Sequence, residues 1–127
     1  MFYSIYLFAI SVVYYYDCEF NVMYIIFYFI GMNHHCMNVM FGCGFLLNER
    51  IKSFVWFFSI FLRSMNGRYP QTIITDQYAA MASAITQVFP NSRHRLCIWH
   101  IRENSKKNIK SLRSQKGFID LFNYVLK

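Results

Sequence analysis

The chain has 127 residues, with 13 Lys and Arg against 6 Asp and Glu, and is 56% hydrophobic and 20% aromatic. That length supports one domain with a core of its own, and so apolar a composition excludes a disordered tail. The four cysteines, at 18, 36, 43 and 97, include no Cys-x-x-Cys pair, which excludes a dense disulfide scaffold and suits a reduced, intracellular setting.

Charge is unevenly placed. Residues 1–49 carry Asp17, Glu19 and Glu49 and no base, whereas residues 50–127 carry all 13 bases and 3 acids. This asymmetry points to an anionic partner for the second half, either nucleic acid or a membrane surface.

The opening run, MFYSIYLFAISVVYYY, holds no charge and stops at Asp17. It lacks the basic start and small-residue cleavage site of a signal peptide, and it falls short of the ~20 apolar residues of a membrane span. Its Tyr, Phe, Val and Ile content suits buried strands. Val12 to Tyr16 reads as a strand ending at Asp17, Met23 to Ile30 as a second, and Val39 to Leu47 as a third, with a turn at Gly31–His35. Residues 1–11 read as an apolar extension outside the domain, which is expected to cover 12–127.

Ile51, Phe54, Val55, Phe58, Phe61, Leu62 and Met65 recur at helical spacing, with Gly67 and Pro70 as stop signals. Thr72 to Thr75 is a short buried strand ending at Asp76. A helix over Gln77 to Val88, a strand over Arg93 to Ile98 and a basic helix from Trp99 complete a βββαβαβα order in one α/β domain.

Asp17 and Asp76 each stand at a strand end. If those strands are neighbours the carboxylates converge, and two converging carboxylates suit Mg²⁺; a two-metal nuclease needs a further acid. The plainer reading of Asp76 is the N-cap of the following helix. Cys97 and His100 form at most half of a tetrahedral zinc site; His34, His35 and Cys36 are candidates for the other half, although adjacent histidines on a turn are more often solvated. No GxSxG, Walker loop or GxGxxG occurs. Arg102, Lys106, Lys107, Lys110 and Arg113, against Glu103, make a stripe of the kind that meets phosphates, with a solvated helix face as the plainer reading.

Several short segments then carry a resemblance, in order: Gly31-Met-Asn33-His34-His35, Gly42-Cys-Gly-Phe-Leu-Leu47, Ser53-Phe-Val-Trp-Phe-Phe58, Thr72-Ile-Ile-Thr-Asp76-Gln77, Ala80-Met81, Val88-Phe-Pro-Asn91, His94-Arg-Leu-Cys97-Ile-Trp-His100 and Phe122-Asn123-x-Val125. Together they resemble the Mutator-like (MULE) transposase domain, and within it the plant far-red-impaired-response family of domesticated transposases. The resemblance implies a ribonuclease-H-like fold, Asp17 and Asp76 as the first two acids of a catalytic triad with Mg²⁺ as their metal, and Cys97 and His100 as the family's Cys-x-x-His motif.

It further implies a nuclear, transcription-regulating protein that carries zinc modules outside this region. The segment between Asp17 and Gly31 is shorter than the family pattern, whose Asp-Thr-Thr-Tyr reads Asp17-Cys18-Glu19-Phe20 here. The third acid, a Glu, is expected downstream of Phe122-Asn123, beyond Lys127, and neither Glu103 nor Asp120 matches it.

The resulting expectation is an incomplete ribonuclease-H-like domain, truncated on its C-terminal side and without catalytic activity. It would act in transcription regulation, touching DNA non-specifically through the basic helix and associating with a regulator partner or its own copy. Apolar surface around Phe118, Leu121 and Phe122 is expected to be left uncovered. Two alternatives stand beside it: a Mg²⁺-dependent DDE-type transposase whose third acid lies in a continuation of the chain, and a small membrane protein anchored by residues 1–30.

Overall fold

The computed structural model describes residues 8–32 and 35–126. Part of the apolar extension and the expected turn at Asn33 and His34 lie outside the described residues.

Three strands come first: β1 (Phe8–Asp17), β2 (Val22–Met32) and β3 (Asn38–Leu46). They form an antiparallel meander, because short turns can join only antiparallel neighbours. The helix α1 (Ile51–Ser64) leads to β4 (Thr72–Thr75), α2 (Ala79–Val88) and β5 (Arg93–Leu96). β4 lies parallel to β1 and β5 parallel to β4, giving a five-stranded sheet of order β3-β2-β1-β4-β5. The chain closes with α3 (Ile98–Asn108), α4 (Lys110–Arg113) and α5 (Phe118–Val125).

The strong helical periodicity has a clear destination. Phe54, Phe57, Phe58 and Phe61 of α1 are buried against Phe27 and Phe29 of β2. Phe29 stacks on both Phe57 and Phe61, at ring centroid distances of 4.5 and 4.3 Å, and Phe27 meets Phe54 edge-on at 5.2 Å. Aromatic pairs in these geometries add attraction beyond the area they bury. Met81, Ala84 and Ile85 of α2 complete this side of the core, with Ile73 of β4. Gly44 of β3 makes room here, since a Cβ at that position would collide with the ring of Phe57.

Three features differ from the sequence-based expectation. β1 starts at Phe8, and Phe8 and Ala9 pair with Ile73 and Ile74 of β4. Residues from the stretch expected to lie outside the domain therefore make the β1 pairs with β4. The basic helix is two helices, broken at Ile109 (φ −126, ψ 41). Between Phe29 and Ile30 of β2 the pairing skips Phe41 of β3, a bulge in an edge strand.

The expectation of uncovered apolar surface near the C-terminus holds for Leu121, which is 63% exposed. Phe118 and Phe122 instead stack on each other at 5.8 Å and are partly buried. Among the described residues no helix is long and apolar enough to cross a membrane.

Candidate functional site: Asp76 and its basic surroundings

Asp76 leaves the end of β4. Its Oδ1 accepts the backbone N–H of Gln77 at 2.7 Å, and it is not the helix cap expected from sequence; Tyr78 holds the N-cap position of α2. Thr75, buried immediately before it, donates its hydroxyl to the Asp76 carbonyl at 2.9 Å and lies 2.7 Å from Nε2 of His94 on β5. Because that hydroxyl has one proton to give, Nε2 is the donor in the second contact. Burial holds the His94 pKa below its ordinary 6.5.

The parallel register decides what stands opposite. With Phe8 beside Ile73 and Ala9 beside Ile74, two further residues bring Asp76 level with Ser11. Asp17 lies six residues beyond Ser11 along β1, or about 20 Å at the rise of an extended strand. It pairs with Val22 at the tip of the β1–β2 hairpin, where its Oδ1 accepts the N–H groups of Glu19 at 2.9 Å and Phe20 at 3.2 Å. Asp17 and Asp76, expected to converge, are not brought together: Asp17 makes an Asx turn. Every position of β1 before Asp17 is uncharged, so no other acid of that strand takes its place.

The Cys-x-x-His motif does lie beside Asp76. The Cys97 N–H donates to the Thr75 carbonyl at 2.7 Å, extending the β4–β5 ladder by one step, and Cys97 then occupies the N-cap position of α3. His100 follows in the first turn of α3; its Nδ1 is buried and has no hydrogen-bond partner among the described residues, and its ring meets Trp99 edge-on at 4.9 Å. No group of three or more His, Cys, Asp or Glu side chains that could hold a metal occurs among the described residues. His35 and Cys36 are exposed in the loop between β2 and β3, and two strands, β2 and β1, separate β3 from β4. The described side chains thus fit neither a Mg²⁺ pair on Asp17 and Asp76 nor a closed zinc site.

Of the expected cations, Arg102, Lys106, Lys107 and Lys110 are exposed. Lys106 is paired with Glu103. Arg113 has a structural tie: its Nη1 donates to Oγ of the buried Ser105 at 2.7 Å, fastening α4 to α3. Two further cations, Arg93 and Arg95, are exposed on the edge strand β5 and lie outside the stripe expected from sequence. Their signal was the period-two alternation Arg93-His94-Arg95-Leu96, which sets the two arginines on one face. A shallow cavity of about 380 Å³, lined by Phe45, Leu47, Lys52 and Trp56 among others, opens between the end of β3 and α1.

An antiparallel meander joined to parallel β4 and β5, with α1 and α2 on one face, is a ribonuclease-H-like arrangement. A chain from the structure of the simian T-cell lymphotropic virus intasome in complex with PP2A regulatory subunit B56 gamma superimposes with a TM-score of 0.51 at 17% identity. The match covers 87% of this chain and 40% of that one. Residues 15–104 match the MULE transposase domain, and the chain belongs to that family. It is 43% identical over 81 residues to Protein FAR1-RELATED SEQUENCE 5 of Arabidopsis thaliana, across 64% of this chain and 10% of the relative. To Protein FAR-RED IMPAIRED RESPONSE 1 of the same plant it is 41% identical over 75 residues, across 59% and 9%. The chain thus spans about a tenth of the length of the curated relatives it matches.

Proposed function

We propose that this chain is a non-catalytic part of a transposase-derived nuclear protein, related to the far-red-impaired-response regulators, that associates with DNA through the exposed cations of α3 and α4. The observation that carries this reading is the isolation of Asp76. In-line phosphodiester chemistry on two metal ions needs several carboxylates at one point, and the β1 position level with Asp76 is Ser11. Family membership and likeness to transposase-derived plant proteins support the nuclear, regulatory setting. The surplus of bases supports DNA as the partner, because clustered Lys and Arg bind phosphates whatever the base sequence.

The alternative of a Mg²⁺-dependent transposase completed by a later Glu starts from one acid rather than two. Purified chain incubated with labelled duplex and Mg²⁺ or Mn²⁺ is expected to give no nicking above buffer. Metal-dependent nicking that disappears in Asp76→Ala would overturn the non-catalytic reading. For the DNA contact, Arg102→Gln, Lys107→Gln and Lys110→Gln together should flatten the plot of log affinity against log salt by roughly three units. An unchanged slope would remove these helices from the interface.

A further inference from the structure

The same face of the sheet that carries Asp76 also carries a second row of cations. Ile73 and Thr75 of β4 point into the core, so Thr72, Ile74 and Asp76 lie toward the opposite face. The β4–β5 register pairs Thr72 with Arg93, Ile73 with His94, Ile74 with Arg95 and Thr75 with Leu96. Directly paired residues share a face, which puts Arg93 and Arg95 on the face of Asp76 and turns His94 toward Thr75. β5 is the outermost strand among the described residues, so no further described strand flanks the two arginines.

Both are exposed, and neither guanidinium is in an ion pair with a described residue. Residues two apart on a strand stand about 6.6 Å from one another, a spacing close to that of neighbouring phosphates along one nucleic acid strand. Arginine forks match phosphate oxygens with paired N–H groups.

A plainer role exists for charge on an edge strand, since it discourages pairing with another sheet edge. That role would be served by either arginine alone and asks for no common face. Two arginines in a row, with the half-buried Thr72 and Ile74 of β4 beside them and the cations of α3 following directly in the chain, form a track. We infer that Arg93 and Arg95 bind consecutive phosphates of a DNA strand, so that the contact surface begins on β5 and continues onto α3. The inference rests on the DNA-association reading and assigns part of the contact to the sheet edge. Asp76, on the same face and without a described cation partner, would then repel the DNA backbone locally.

The test uses the full chain and a fluorescently labelled duplex of arbitrary sequence, with binding followed by anisotropy across a salt series. Arg93→Gln with Arg95→Gln should flatten the slope of log affinity against log salt by about 1.8 units, the share of two phosphate contacts. Arg93→Lys with Arg95→Lys should keep most of the slope. Asp76→Asn should tighten binding at low salt. Thermal melts of each variant check that the fold is kept, which exposed edge side chains favour.

A slope unchanged in the double Gln variant, with the α3 and α4 substitutions still flattening it, would overturn the inference and leave DNA association standing. Wild-type chain that shows no salt-dependent binding would overturn both.

Discussion

His94 and Thr75 meet across the parallel β4–β5 ladder, with the imidazole Nε2 2.7 Å from the threonine Oγ1. The contact ties the edge strand to β4 at the residue before Asp76. The histidine is held below its ordinary pKa of 6.5 by burial, so the unfolded chain takes up the proton first as pH falls. Stability from this group is whole above pH 6.5 and is lost as pH drops from there through the folded-state value. Urea melts at about pH 7.5 and about pH 5.5 should show a larger loss in wild type than in His94→Gln. Equal losses would mean that the half-buried His94 imidazole is not the titrating group.

Thr75→Val keeps the shape and removes the hydroxyl. It leaves the His94 N–H facing an apolar methyl, at a cost of about 0.5–1.5 kcal/mol for the lost hydrogen bond. Thr75→Ser should recover most of the loss. A Val variant as stable as wild type would show that the imidazole finds water instead.

Asp17→Ala should behave as a turn substitution. Losing the two N–H contacts at the hairpin tip should cost about 0.5–1.5 kcal/mol. Adding Mg²⁺ should raise the melting temperature of wild type and variant equally or not at all. A Mg²⁺ stabilisation present in wild type and abolished by Asp17→Ala would place the carboxylate at a metal.

Gly44→Ala should destabilise by about 1–3 kcal/mol through overpacking, because the added methyl would sit on the Phe57 ring. Phe57→Leu in the same chain should restore part of that stability, an interaction energy that a double-mutant cycle reads directly. Additive losses would show that the strand shifts rather than the ring.

Arg113→Gln separates a structural role from a DNA contact. Breaking its bond to Ser105 should lower stability by about 0.5–1.5 kcal/mol while changing the salt slope less than Lys107→Gln does. The reverse order would return Arg113 to the DNA surface.

Much of the architecture was legible in the sequence because it is written in local apolar periodicity. The α1 stripe from Phe54 to Phe61, the short strand before Asp76 and the order of the elements need only nearby residues to be recognised. What escaped depends on long-range register. β1 is an apolar run with no internal mark, so nothing in it says whether Ser11 or Asp17 stands beside Asp76; that follows only from Phe8 pairing with Ile73. The break at Ile109 also carried no Gly or Pro to announce it. The arginine row on β5 was readable as an alternation, but its meaning required knowing which face Thr75 buries.

The register leaves one more mark on the molecule. β3 pairs with β2 only from Ile25 onward, and the pairing of β4 with β1 ends at Ala9, whereas β1 and β2 pair as far as Asp17 and Val22. The hairpin therefore runs out past the rest of the sheet as a two-stranded ribbon, tipped by the exposed Phe20 and Met23. A ribbon of this kind has little to hold it once its own ladder opens. Limited digestion with chymotrypsin, which favours aromatic sites, should cut first around Phe20, well before the interior of the sheet becomes accessible, and the two pieces should stay associated through the core.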